Sequence, residues 1–417
     1  MSLRELCGRE YSGKVIPPVL SVRTESVPDP GALLPFASPS NPLVFLRSGE
    51  GIVGIGEAAR LTFSGPPRIA DAAAAWRSLS SAAVVVDDVG IPGSGLVAFG
   101  SFAFADRSSA ESVLIVPSVI IGRRDGVAWI TTVDAAEAPA TSALGEGFDV
   151  RFMPGAQGPA RFGAAVRDAV AAITRGDVSK VVLARDLVGS VPADADLRRP
   201  LVALSARYAD TFTFAVDGLL GASPETLVRA IGGAVSARVL AGSAARGVDA
   251  ESDALAATTL AASTKDLGEH DFARASVLDA LAPFAVIEPG DAGPFTLQLP
   301  NLWHLASDIA GALTGEASAL DLVGALHPTA AVAGTPTDIA TDLIAELEPF
   351  DRGRYAGPVG WVDASGDGEW AIALRCAQVA GTTVTAYAGA GIVADSDPVR
   401  ELAETTLKFA PITEAFS

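Results

Sequence analysis

Residues 386–409 read AYAGAGIVADSDPVRELAETTLKF: a strand-like run, a glycine-rich turn, then a helix. Gly389, Gly391 and Ala394 match the spacing of the dinucleotide fingerprint, in which a strand feeds a helix whose N-terminus holds a pyrophosphate. That fold needs a second strand ending in an acid about 20 residues further on, and the sequence reaches Ser417 before one could form. The dinucleotide fingerprint is therefore not expected to apply, and the glycines are expected to let backbone approach some other anionic ligand. On the helix, Glu401, Glu404 and Lys408 fall at i, i+3 and i+7, one acidic and basic stripe. A surface pair between Glu404 and Lys408 would account for the last two by itself.

Lys408 is one of four lysines, with Lys14, Lys180 and Lys265, among 30 Lys plus Arg. Arginine supplies nearly every cation, so a retained lysine is a candidate for work that guanidinium cannot do. A partly desolvated ammonium can lose its proton near neutral pH; arginine cannot. In GDVSKVVLARDL, Lys180 stands at the mouth of a β-rich run, with Val182 and Ala184 on its face and Val181, Leu183 and Arg185 on the other. A strand-end lysine reaching out to water fits that segment too.

Two further segments carry chemistry. In LLGASPETLVR, Glu225 follows a tight turn between apolar runs, a position from which a carboxyl can enter a cleft, although an exposed turn glutamate reads the same way. Glycine at 225 would be needed for a hydrolase nucleophile elbow. STKDLGEHDFARASVLDAL predicts a helix capped by Ser263 or Thr264, with Asp266, Glu269 and His270 sharing a face. Acids there also complement the helix dipole.

Composition bounds the rest. Hydrophobic residues make up 49% and charged residues 19%, which suits a large packed core and excludes a disordered chain. Pro117 and scattered charges interrupt the most apolar stretch, Val113 to Ile121, so no membrane span is expected. The opening MSLRELCGREYSGK lacks the apolar segment of a secretory signal, and a cytoplasmic location is expected. Cys7 and Cys376 are too few for a disulfide framework, and His270, His304 and His327 show no paired metal-binding spacing. A formal charge of −19 disfavours nucleic acid and anionic lipid, so an anionic substrate must be met by local cations or a bound metal.

Residues 1–150 are rich in Ala, Gly, Ser and Pro, with strand-like runs at 82–86, 113–116 and 128–132 and no chemical motif. Asp125-Gly126 between two β-rich runs marks a hairpin. A helix is predicted from Ala160 to Arg175, ended by Gly176.

Taken in order, the strings KVVLAR, GASPE, LAGS with RG, STKDLGEH, LWHL, LHPTAAVAGTP, RGRYAGPVGW, ALRC and AGAGIVADSDP with ELAETTLK resemble the chorismate-utilising enzymes. The resemblance runs from Gly176 to Lys408 and has a weaker echo between Gly100 and Thr132. It implies an α+β fold over residues 1–417 as one domain, with mixed, mainly antiparallel sheets stacked between helices and the site in a cleft between sheet halves. It implies chorismate as substrate and Mg2+ as cofactor, held by Glu269 and Glu404 with Asp266 and Glu401 as possible outer-shell groups. Gly242, Ser243, Tyr355, Arg375, Gly389, Gly391 and Lys408 match substrate-binding positions. Lys180 and Glu225 match the catalytic pair.

One position separates the family's chemistries. Members that use ammonia carry glutamine where this chain has Lys180, and aminodeoxychorismate synthases carry a nucleophilic lysine where it has Ala241. The expectation is an isochorismate synthase acting as a monomer: Lys180 takes a proton from water adding at C2, and Glu225 protonates the departing C4 hydroxyl. Salicylate synthase, and a chorismate-binding subunit without turnover, are the alternatives. One departure stands out: Ala244-Ala245-Arg246-Gly247 replaces the usual Arg-Pro-Arg-Gly, so a looser loop is expected there.

Overall fold

The computed structural model describes residues 19–137, 140–288, 293–298 and 302–417, without the side chains of Ser243, Lys265 and Leu302. Lys14 and Cys7 lie outside the described residues. The architecture is α+β, with two large sheets among the described residues, one of 13 strands and one of 10. Only the pairing of Ser21–Thr24 with Val84–Asp87 is parallel there; the other described pairs are antiparallel.

The larger apolar cluster draws on both sheets, with Val181, Leu183 and Phe214 from one and Phe99, Trp361 and Trp370 from the other. A second cluster lies on the opposite face of the 13-stranded sheet. There Leu201, Leu204, Phe409 and Ile412, from the helices Arg198–Arg207 and Pro398–Ala415, cover Val44, Leu46 and Ala386. The 13-stranded sheet is thus buried on both sides. That explains why the strand Lys180–Ser190 carries four consecutive apolar residues, Val181 to Ala184, rather than an alternation.

The predicted helix is present as Pro159–Arg175. Phe162, Ala165, Val166, Ala169 and Ala172 are buried, and Gly176 at φ 85° closes it. Burial of each large apolar side chain on this face contributes roughly 1.5–3 kcal/mol. The hairpin is also present: Val119–Arg124 pairs with Val127–Val133 through Asp125 and Gly126, both at positive φ. The run preceding it does something else. Ser112–Val116 belongs to the 10-stranded sheet, so Pro117-Ser118 carries the chain from one sheet to the other.

Two similar crossings build the site. Leu219–Ser223 lies in the 13-stranded sheet and Thr226–Ile231 in the 10-stranded one, so Pro224-Glu225 bridges them. Gly368–Ile372 and Cys376–Ala380 likewise lie in different sheets, with Ala373, Leu374 and Arg375 between. The two crossings are tied together, since Ile372 N donates to Glu225 O and Ala222 N donates to Arg375 O.

The opening expectation about the glycines needs correcting. Gly389 and Gly391 do not form a turn; both lie within the strand Thr383–Ile392, opposite Ala184 and Val182. The turn is Val393 to Asp397, where Asp397 caps the helix Pro398–Ala415 by accepting from Val399 N and Arg400 N.

Candidate active site

A cavity of about 870 Å³ opens where the sheets meet. Lys180, at the first position of its strand, and Glu225, on the sheet crossing, both face it. Burial is the main influence on each. It lowers the Lys180 pKa from 10.5, opposed by Glu269, Glu225 and Glu404. It raises that of Glu225 from 4.5, opposed by Lys180, Arg375 and Lys408. Both shifts favour the uncharged forms, a neutral amine and a protonated acid.

The two strand glycines leave room for functional groups. A Cβ on Gly391 would stand 3.0 Å from Lys180 Cε, and one on Gly389 would stand 3.0 Å from the Tyr355 hydroxyl. Tyr355 is buried and stacks on Tyr387 with ring centroids 5.1 Å apart. These glycines are needed for the space they leave, because neither adopts positive φ. Gly242 is different: at φ 81° it sits where the pairing of Ala234–Ala245 with Leu302–Leu313 slips register between Leu240 and Ser243. Gly242 and Ala241 line the cavity. The Ser243 backbone pairs with His304, and its side chain lies outside the described residues.

Cations and carboxylates meet at the same cavity. Lys408 Nζ donates to Gly389 O at 3.0 Å and pairs with Glu404 at 2.5 Å. Burial lowers the pKa of Lys408, with Glu404 opposing. Arg375, at φ 48°, also faces the cavity; the left-handed backbone of a non-glycine residue is strain that the surrounding fold must hold in place. Burial pushes its pKa down, against Tyr355, Glu225 and Glu404.

Glu269 comes from the helix Thr264–Leu281, capped by Ser263 as expected. Glu269 and Glu404 both line the cavity, and carboxylate oxygens suit a divalent cation that keeps several waters. Among the described residues no group of three or more His, Cys, Asp and Glu side chains gathers as a metal site.

Of three neighbours, two differ from the sequence reading. Asp266 lines the cavity, where it is hydrogen-bonded to Ser263. Glu401 does not line it; its carboxylate accepts from Ser396 Oγ at 2.7 Å. His270 turns away from Glu269 and is buried, with Nδ1 bonded to Ala241 O at 3.1 Å and Nε2 to Ser307 Oγ at 2.7 Å. The shared face splits because i+4 on this helix points into the sheet.

Sequence reasoning missed His304, which faces the cavity and bonds through Nδ1 to Gly242 O. Burial, together with Lys180 and Lys408, pushes its pKa down to about 4. Its only signal was the LWHL string. The loop after Ser243 is also firmer than expected: Asp253 accepts from Arg246 Nε at 2.6 Å, Gly247 N at 2.9 Å and Trp303 Nε1 at 2.9 Å.

Comparison with known proteins fits this geometry to a family. The family profile described as "Chorismate binding enzyme" matches residues 18–144 and 152–417. The chain belongs to that family. It is similar to isochorismate synthase DhbC of Bacillus subtilis, 41% identical over 262 residues, covering 60% of this chain and 66% of that protein. The match therefore spans just under two thirds of that relative's length. It is also similar to a putative isochorismate synthase MenF of Mycobacterium tuberculosis, 44% identical over 263 residues, covering 60% of this chain and 70% of that protein.

Among solved structures, a putative 2,3-dihydroxybenzoate-specific isochorismate synthase from Bacillus anthracis superimposes with a TM-score of 0.73 at 31% identity, over 92% of this chain and 98% of that one. The menaquinone-specific isochorismate synthase of Escherichia coli gives a TM-score of 0.77 at 25% identity, over 100% of this chain and 98% of that one. No helix among the described residues is long and apolar enough to cross a membrane.

Proposed function

We propose that this protein is a Mg2+-dependent isochorismate synthase, an isomerase that adds water at C2 of chorismate and expels the C4 hydroxyl. One observation carries the reading: Lys180 and Glu225 face one cavity, and burial drives both toward their uncharged forms. Neutral Lys180 takes a proton from water as its oxygen bonds to C2, the ring double bonds shift, and the C4–O bond breaks as Glu225 supplies the proton that lets water leave. Water is consumed and released in equal amount. Glu269 and Glu404 would hold Mg2+, which would supply charge to bind a substrate carboxylate.

Arg375 and Lys408 place further positive charge in the cavity, which lets a chain of charge −19 bind a dianion. Tyr355, Gly242, Gly389 and Gly391 shape the wall beside the ring, and Asp266 is an outer-shell group near the metal. All these groups come from one chain, so the reading needs no partner subunit and takes residues 1–417 as one working unit in the cytoplasm. Incubating the protein with chorismate and Mg2+ and separating the products tests it. Isochorismate alone is expected; salicylate with pyruvate, or unchanged chorismate, contradicts it.

A further inference from the structure

The strand bearing Lys180 has an unusual edge. One side pairs continuously with Thr383–Ile392. On the other side the backbone groups of Lys180 and Val181 pair with Thr335 and Gly334, and Val182 N donates to Ala333 O, after which that partner chain leaves. The next groups facing this edge are Val182 O and Ala184 N, and neither meets backbone. Arg352 Nη2 donates to Val182 O at 2.7 Å, and Ala184 N donates to Glu348 Oε1 at 2.7 Å. Further along, Gly155 N resumes the ladder at Asp186 O.

Arg352 and Glu348 are themselves locked in a bidentate pair, with Nε to Oε2 at 2.8 Å and Nη2 to Oε1 at 2.5 Å. Their side chains are 3% and 1% exposed. Nη1 reaches Val332 O at 2.9 Å, and the guanidinium lies 4.5 Å over Phe104 and 5.9 Å from the Tyr355 ring centroid. We infer that the Glu348–Arg352 pair is a positioning device: two side chains replace a missing strand and fix the backbone that aims Lys180, while the same guanidinium seats Tyr355. A lysine at 352 could hold Glu348 but could not reach Val182 O and Val332 O together.

The inference rests on the proposed water addition, and its test separates the two. If wild-type protein makes no isochorismate, that reading fails whatever the pair does. Hydrogen exchange on wild-type protein is the first measurement. The Ala184 amide is expected to exchange as slowly as the other amides of Val181–Leu187; exchange at the rate of an exposed loop would overturn the inference.

The second measurement compares Arg352→Lys and Arg352→Met with Arg198→Met, which breaks an equally buried pair with Asp196 away from the cavity. Assayed well below each melting temperature, both Arg352 variants should lose about 10-fold or more in kcat with a smaller change in KM. The acid limb of their pH profile should move to higher pH, because a displaced Lys180 regains water. Arg198→Met should lose stability and keep the wild-type profile. Arg352→Lys with wild-type kcat and pH profile would overturn the positioning role.

Discussion

The amine–acid pair and the carboxylate pair share one cavity but are held in opposite ways. Lys180 and Glu225 sit on strand and sheet-crossing backbone tied on both sides, with Glu225 N donating to Ser223 Oγ and Glu225 O accepting from Ile372. Glu269 rides on a helix of which only His270 and Leu281 are buried among the described side chains, and the Glu404 side chain is 37% exposed. The contrast has a physical basis. Burial tunes a proton donor and acceptor, so they need a rigid, dry setting. Carboxylates that take up a hydrated cation must stay charged and reachable by water.

The strongest way to break this contrast is to remove the amine–acid pair. Lys180→Gln should lower kcat by about 100-fold to 10,000-fold in a chorismate assay without loss of the fold; near-wild-type turnover would reject Lys180 as base. Burial lowers its pKa, so between that lowered value and 10.5 the folded state holds fewer protons at this site than the unfolded chain. Its contribution to stability therefore rises with pH through that window. Lys180→Met should accordingly melt at a higher temperature than wild type at pH 7 by calorimetry.

Glu225→Gln comes next, with a loss of about 100-fold. It should also remove the alkaline limb of the pH–rate profile, because the raised Glu225 pKa means that activity falls once this acid ionises. At the rim, Glu404→Gln should raise the Mg2+ concentration for half-maximal activity by about 10-fold or more and, since Glu404 holds the Lys180 pKa up, move the acid limb to lower pH. An unchanged metal titration would take Glu404 out of the ligand set.

Gly391→Ala sharpens the comparison at finer scale: its methyl would press on Lys180 Cε at 3.0 Å, lowering kcat about 10-fold while KM holds. The smallest effect belongs to Asp253→Asn, which loosens the clamp on Arg246 and Trp303. Its neighbours hold the Asp253 carboxyl well below the usual range, so the stability it lends is present above its unfolded value of 3.8 and fades as pH falls. A melting temperature lower by about 2 °C at pH 7, with the deficit shrinking toward pH 3, is expected.

Local signals made part of this legible. Asp125-Gly126 marked its hairpin and Gly176 its helix end because each follows from backbone preference over a few residues. Which sheet a strand joins does not. Pro117-Ser118 and Pro224-Glu225 look like ordinary turns, and only packing makes them crossings between sheets. The proposed catalytic and rim residues were named through ordered motifs, while His304 was passed over because a lone histidine in a strand carries no spacing signal. Nothing local marks Glu348 and Arg352 as a buried pair, because their burial depends on strands far away in sequence. Gly389 and Gly391 were read as a turn and lie in a strand, since a Gly-x-Gly string does not say whether the chain needs a turn or an empty space.

The central claim is an uncharged amine at 180, and the scarcity of lysine makes it measurable. With four lysines in the chain, protein labelled with 13C at the lysine ε-carbon gives four resonances to follow by NMR against pH, and Lys180→Arg assigns one of them. The account predicts that the resonance missing from Lys180→Arg titrates well below the ordinary 10.5 and is neutral over the pH range of activity. A Lys180 resonance that titrates at or above 10.5 in active protein would contradict it.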